Sequence, residues 1–256
     1  MMKHITLFLA ILLLPLMAVA AGTPIDQANE AYKKQLYNDA LKLYLQAERQ
    51  SGTSSELCCN IGDTYYRLKD TPHAILYYER ALLLNPSNSD ARYNLQFVRE
   101  RANLHQQSGD TWFSDWMDET VSRLSSNAWA VTAIVSFLLF LVALVVYLFM
   151  DNVLARKIGF FSGIVLLLLA IAGNVCAFYV HGKAVDRTGA VLMTETTLSK
   201  VPRHPKGEKE QSQTLAAGIR VAIVDSVAAK GQPTWLQVTA PNGEAAWLPA
   251  EKVEVI

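Results

Sequence analysis

Two adjacent thiols, Cys58 and Cys59, are the residues whose pairing would most readily do chemistry. A redox pair is the activity they suggest, and geometry opposes it. Cα atoms joined by a trans peptide lie about 3.8 Å apart, short of the usual disulfide range, and neighbouring side chains on a helix diverge. Cys176 stands alone in an apolar stretch, so the three cysteines supply no disulfide framework. His73, His105, His181 and His204 fall in separate segments without the spacing of a metal site. No Gly-rich phosphate loop and no elbow serine occurs. Pro202-Arg-His-Pro205 has the spacing of a polyproline ligand, a single weak match. The chain therefore reads as non-enzymatic, with no cofactor and no metal. What remains is recognition chemistry. Asn29, Asn60 and Asn94 carry amides that can bond both a donor and an acceptor of an extended peptide. Lys33, Arg67 and Arg101 can hold carboxylates, with Tyr32, Tyr66 and Asp63 nearby in sequence.

These residues sit in a repeat. The segment "NIGDTYYRLKDTPHAILYYERALLLNP" (60–86) has an imperfect copy 34 residues upstream, "ANEAYKKQLYNDALKLYLQAERQ" (28–50). Ala28 overlays Gly62, Tyr32 overlays Tyr66, Ala40 overlays Ala74, Tyr44 overlays Tyr78 and Ala47 overlays Ala81. Asn60 and Ile61 recur as Asn94 and Leu95, which begins a third unit. A fixed period of 34 predicts pairs of antiparallel helices stacked in a solenoid. Small residues are expected where helices cross, with Tyr44, Tyr78, Leu36 and Leu68 filling the gaps between. Cys58 falls on a packing position of this pattern. Pro86 follows the second helix because it cannot continue one.

The pattern resembles the tetratricopeptide repeat family over about residues 26–105, two full repeats and a further helix. The resemblance implies a concave groove lined by the first helix of each repeat. It would carry Asn29, Tyr32, Lys33, Asn60, Asp63, Tyr66, Arg67, Asn94 and Arg101. Asn29 and Asn60 match asparagines of the family's carboxylate clamp. The clamp is incomplete, since its lysine position is Ile25 and Glu56 and Asp90 stand where basic residues are expected. An internal segment or a protein surface fits such a groove better than a free C-terminus.

The rest of the chain is organised by apolar blocks. Its 256 residues are 51% hydrophobic, with 23 basic and 23 acidic side chains, and this balance without a basic stripe excludes nucleic acid as the expected partner. Residues 1–20 read as a signal peptide, with Lys3 and His4 leading an apolar run and Ala18-x-Ala20 as the cleavage motif. An uncleaved anchor is the alternative. Residues 128–150 and 158–180 each lack charge over 23 residues and exceed the ~20 needed to cross a bilayer. The link, 151–157, is short enough to force a hairpin, and Arg156 and Lys157 place it in the cytoplasm. Both ends then lie outside, in the periplasm of a bacterial inner membrane. Gly159-x-x-x-Gly163 and Gly173-x-x-x-Ala177 are candidate helix-packing faces, within the hairpin rather than between copies. Asn174 is the single amide of the two spans.

Residues 106–127 hold Trp112, Phe113, Trp116, Met117, Val121 and Leu124 near helical spacing. They read as an amphipathic stalk, lying on the membrane surface or packed on the repeats. From 181 the apolar period becomes two, in short runs at 219–225, 234–240, 244–250 and 253–256, with "PNG" (241–243) as a hairpin turn. The ending resembles the bacterial SH3-like domain, which implies a small β-barrel with Trp235 and Trp247 at its groove. Ala246 replaces the glycine usual before that tryptophan. "LSKVPRHP" (198–205) departs from the family's pattern, and a charged loop is expected to run on to about Gln213.

The expected fold is therefore multidomain, α then β: a tetratricopeptide solenoid (21–105), a transmembrane helical hairpin and a small SH3-like β-barrel (181–256). This order resembles the BatE-like aerotolerance family. The resemblance implies a membrane-anchored scaffold. Its partners would be proteins with von Willebrand A domains and, indirectly, a MoxR-type ATPase, besides membrane lipid. The alternative is a tether or sensor whose SH3-like domain contacts peptidoglycan.

Overall fold

The computed structural model describes residues 23–104, 120–185, 188–228, 234–240 and 242–256. The expected signal peptide, His105 and the Trp-rich part of the stalk lie outside the described residues.

The helical region runs α1 (Pro24–Lys33), α2 (Tyr37–Ser51), α3 (Ser55–Arg67), α4 (Thr71–Leu84) and α5 (Ser89–Arg101). Each start is capped by a side chain where a short polar residue is available. Thr23 and Asp26 form a reciprocal capping box, while Ser54, Asp70 and Asn88 accept the orphan amides of α3, α4 and α5. The first helices end alike. Gln35, Lys69 and Asn103, spaced 34 apart, all adopt positive φ, at 61°, 65° and 52°. The residue after each donates to a carbonyl five residues back: Leu36 to Ala31, Asp70 to Tyr65 and Leu104 to Arg99, each at 2.9 Å. The period seen in the side chains thus also governs the backbone, and it extends through α5.

Small residues mark the crossings. Ala28, Ala40, Ala74 and Ala81 are fully buried. A Cβ added to Gly62 would lie 2.8 Å from the Tyr78 ring, so this helix pair closes only over a glycine. Tyr44 and Tyr78 fill the core as expected. Leu36 does not: it precedes α2 as its N-cap and is half exposed.

Next come α6 (Ser126–Phe149) and α7 (Val153–Val185), an antiparallel hairpin whose helices are long and apolar enough to cross a membrane. The link is shorter than the seven residues expected. Asn152 accepts from the amides of Leu154 and Ala155 and so starts α7 early. Gly159, Gly163 and Gly173 all turn toward α6, against Ala143, Phe140 and Ala133.

The C-terminal region is one antiparallel sheet of β1 (Gly189–Leu192), β2 (Thr196–Ser199), β3 (Gln211–Leu215), β4 (Arg220–Val227), β5 (Trp235–Thr239), β6 (Ala245–Pro249) and β7 (Val253–Val255). Its order is β3-β2-β6-β5-β4-β1-β7, with β3 and β7 at the edges. The sheet is not closed by its backbone ladders, so the expected barrel reduces to an open seven-stranded sheet. The expected charged loop stops short of Gln213. Glu210 accepts from Arg203 and from the Lys206 amide, which folds the turn tightly and lets β3 begin at Gln211. Those contacts hold the Glu210 carboxyl below its usual range, the Lys206 amide first.

The sheet docks on the solenoid. Val191 of β1 is buried in the helical core, and Met193 and Ile256 pack against the same cluster. Arg80 Nη2 of α4 donates to the Val255 carbonyl at 2.7 Å. Glu79, buried on α4, pairs with Arg99 of α5 and lies 3.5 Å from Arg220 of β4. Gly218 has φ +91°, and a Cβ there would meet Leu104 and Ile75 at 2.8 and 2.9 Å. A glycine is what allows this turn to rest on the helices.

Candidate protein-binding groove

The first helices α1, α3 and α5 bring the predicted groove residues into repeating columns. Asn29 and Asp63 occupy equivalent positions, and each accepts a hydrogen bond at 2.6 Å from the tyrosine fifteen residues on, Tyr44 and Tyr78. Asp63 also accepts from Asn94 Nδ2 at 2.8 Å. Asp63, Asn94 and Asn29 therefore tie helices together through Asp63 Oδ1, Asn94 Nδ2 and Asn29 Oδ1. Burial raises the Asp63 carboxyl above its ordinary range, against the two hydrogen bonds that favour its charge. Burial likewise pushes the Tyr78 hydroxyl up and takes that of Tyr44 to about 12. The Asn60 carbonyl accepts from Thr64, while the Asn60 side chain is half-buried on α3.

The cations form a second column. Lys33, Arg67 and Arg101 stand 34 residues apart, one per first helix, and all three are exposed. Lys33 pairs with Glu30 at 2.9 Å on the surface. Arg67 Nε donates to the Tyr32 hydroxyl at 3.4 Å. The Arg101 guanidinium lies 6.0 Å from the Phe97 ring centre.

Aromatic rings run beside the cations. Tyr32 meets Tyr37 edge-on at 5.3 Å, Tyr66 meets Phe97 edge-on at 5.9 Å, and Phe97 lies nearly parallel to Tyr93 at 6.5 Å. Tyr93 is 69% exposed and Phe97 38% exposed, unusual for rings of a solvated helix. Sequence reasoning missed Tyr37, Tyr93 and Phe97. Extending the period would have found Phe97, which falls 34 residues after Asp63.

The other candidates are placed as follows. Trp235 and Trp247 share one face of the sheet, since Trp235 pairs with Pro249 and Trp247 with Gln237 across β5 and β6. Trp235 is buried, with His204 edge-on at 5.0 Å, so the segment 201–205 covers it. Trp247 is half-buried. Cys58 and Cys59 are buried, and loss of solvent pushes both thiols up to about 12, far from a reactive thiolate. Among the described residues no group of three or more His, Cys, Asp or Glu is arranged to hold a metal ion.

The tetratricopeptide repeat family profile matches residues 55–88, the unit formed by α3, α4 and their turns. Comparison with curated proteins finds no match. The helical region is thus a tetratricopeptide-type array, an architecture that serves protein–protein interaction.

Proposed function

We propose that this chain is a non-enzymatic, membrane-anchored scaffold whose repeats bind a protein partner in an envelope complex. The observation that carries the reading is the basic column Lys33, Arg67 and Arg101 beside exposed aromatic rings on the first helices. Such a surface suits an extended, acidic segment of a partner: cations for its carboxylates, ring faces for its apolar side chains. Asn60, Tyr32 and Tyr66 border it. The apolar hairpin would fix the array in the bacterial inner membrane, with repeats and sheet both periplasmic. Docking of the sheet on α4 supports placing both on one side of the bilayer, because the two regions must share a side to touch, and the export expected of the N-terminus makes that side the periplasm. The BatE-like family supplies candidate partners, proteins with von Willebrand A domains acting with a MoxR-type ATPase, and a role in aerotolerance.

A cross-linked pull-down of the full-length protein from its native membrane tests this. An Arg67→Glu, Arg101→Glu variant, with its helical content checked, is run alongside. Enrichment of von Willebrand A proteins by the native form, lost in the variant, supports both groove and partner. Partners retained by the variant would move recognition elsewhere on the chain. Recovery of cell-wall fragments in place of proteins would favour a peptidoglycan tether acting through the sheet.

A further inference from the structure

The hairpin carries a polar group that the hairpin itself does not satisfy. Asn174 lies within the apolar length of α7, between Lys157 and Lys183, and its side chain is exposed. It makes no hydrogen bond to any described residue. In water that would be unremarkable. In hydrocarbon an unpaired amide is costly, and such groups seek partners on other helices. Gly159, Gly163 and Gly173 face α6, so the hairpin contact is already made on a neighbouring side of the helix.

Asn174 is part of a pattern. Phe160, Ile164, Leu167, Ile171, Asn174 and Phe178 follow one another at intervals of 4, 3, 4, 3 and 4. That is the spacing of a left-handed coiled-coil seam, with Ile164, Ile171 and Phe178 at one set of positions and Phe160, Leu167 and Asn174 at the other. Phe160, Ile164, Ile171 and Phe178 are 46%, 43%, 54% and 79% exposed, while Leu167 is half-buried and the Phe160 ring lies 5.6 Å from that of Tyr147 on α6, so most of the seam is uncovered in the single chain. It runs for roughly 27 Å, close to the thickness of the hydrocarbon core.

We propose that the seam is covered by a second copy of this chain, in a parallel α7–α7 dimer with the two Asn174 amides paired at the two-fold axis. The argument for a second copy is symmetry joined to chemistry. Every copy inserts in the same direction, so a two-fold axis must run along the membrane normal and set each seam residue against itself. A carboxylate or a cation would repel its own copy there. An amide is both donor and acceptor, and it pairs with its own copy reciprocally. Ile164 and Ile171 alternate with Leu167, an arrangement that favours two strands, and a single seam asparagine, here one position from the C-terminal end of the seam, sets the register. The proposal rests on the membrane-spanning reading above.

The test is disulfide trapping in full-length protein reconstituted in phosphatidylcholine–phosphatidylglycerol vesicles. Cys176→Ser removes the native thiol of the helix. Ile171→Cys and Phe178→Cys place thiols on the seam, and Ala172→Cys places one on an exposed position about a third of a turn away from it. Oxidation is expected to give covalent dimers from positions 171 and 178 and none from 172. Adding Asn174→Val is expected to weaken the dimer by roughly 3- to 30-fold, with recovery in Asn174→Gln. Equal trapping at 172, or trapping indifferent to Asn174→Val, overturns the proposal. So does trapping that needs native membranes and yields a different protein as the cross-linked partner. Alkaline carbonate extraction separates the two levels. Protein that stays in the bilayer without seam cross-links sinks the dimer alone, whereas protein that washes off sinks the membrane reading and the dimer with it.

Discussion

At the residue scale, the glycine and the carboxylate at the start of the second repeat make opposite demands. Gly62 has no room for a methyl group, because Tyr78 ring carbons would lie 2.8 Å away. Gly62→Ala is expected to destabilise by about 1–3 kcal/mol through overpacking, despite the better helix propensity of alanine, read as a lower urea midpoint. Asp63 has partners but pays for burial. Its folded pKa is raised above its unfolded value, so ionisation is disfavoured in the folded state. Its contribution is therefore most favourable below the ordinary carboxylate range and declines as pH rises toward the raised value. Asp63→Asn keeps the acceptor for Tyr78 and Asn94 and copies Asn29 of the first repeat. It should retain stability and lose that part of the pH dependence. Asp63→Ala strands both donors and should cost about 1–3 kcal/mol. Urea titrations of the three proteins across the carboxylate range decide the matter. A native pH slope retained in Asp63→Asn would mean another group is responsible.

At the element scale, the helices were legible and the sheet only half so, for a physical reason visible in β1. The 34-residue period repeats in side chains, caps and positive-φ turns, so every signal for α1–α5 agrees. β1 offers no alternation to read. Ala190 and Leu192 enter the core of the sheet while Val191, between them, enters the core of the solenoid. A strand buried on both faces looks like any short apolar run. β2 and β3 are short and polar at their ends, and the turn organised by Glu210 depends on a distant Arg203 contact that no local pattern announces. In the groove, the cations and Tyr66 were read from the repeat. Phe97 was missed because it replaces the polar residue found at that position in the earlier units. The double burial of β1 yields a test. Val191→Asp puts an unpaired carboxylate between sheet and helices, and is expected to cost roughly 3–5 kcal/mol, far more than Val191→Ala. In detergent, calorimetry should then resolve separate melting of the sheet and the helical array. A single transition at the native temperature would show that the contact contributes little to stability.

At the scale of the whole molecule, the docked sheet and the hairpin are one argument about topology. An even number of crossings returns the chain to the side it started from. Contact between Arg80 of α4 and the Val255 carbonyl then becomes possible across 175 residues of sequence. Charge at the helix ends does not decide the orientation by itself. Arg156 and Lys157 lie in the first turns of α7 next to the link, but Lys183 lies in its last turn, so on the membrane-spanning reading the positive-inside tendency is weak. On the proposed reading the expected export of the N-terminus would orient the chain, and this predicts a labelling pattern. Asp151→Cys at the link and Glu251→Cys on the sheet, each in a background lacking Cys176, are exposed to a thiol reagent that cannot cross membranes. In intact bacterial cells with a permeabilised outer membrane, position 251 should label and position 151 should label only after lysis. The reverse pattern would turn the protein over and place the basic-aromatic groove in the cytoplasm, where its partner would have to be sought. Labelling of both sites in intact cells would mean that the hairpin enters the bilayer without crossing it. The uncovered Asn174 would then sit near water, with no need of a second copy.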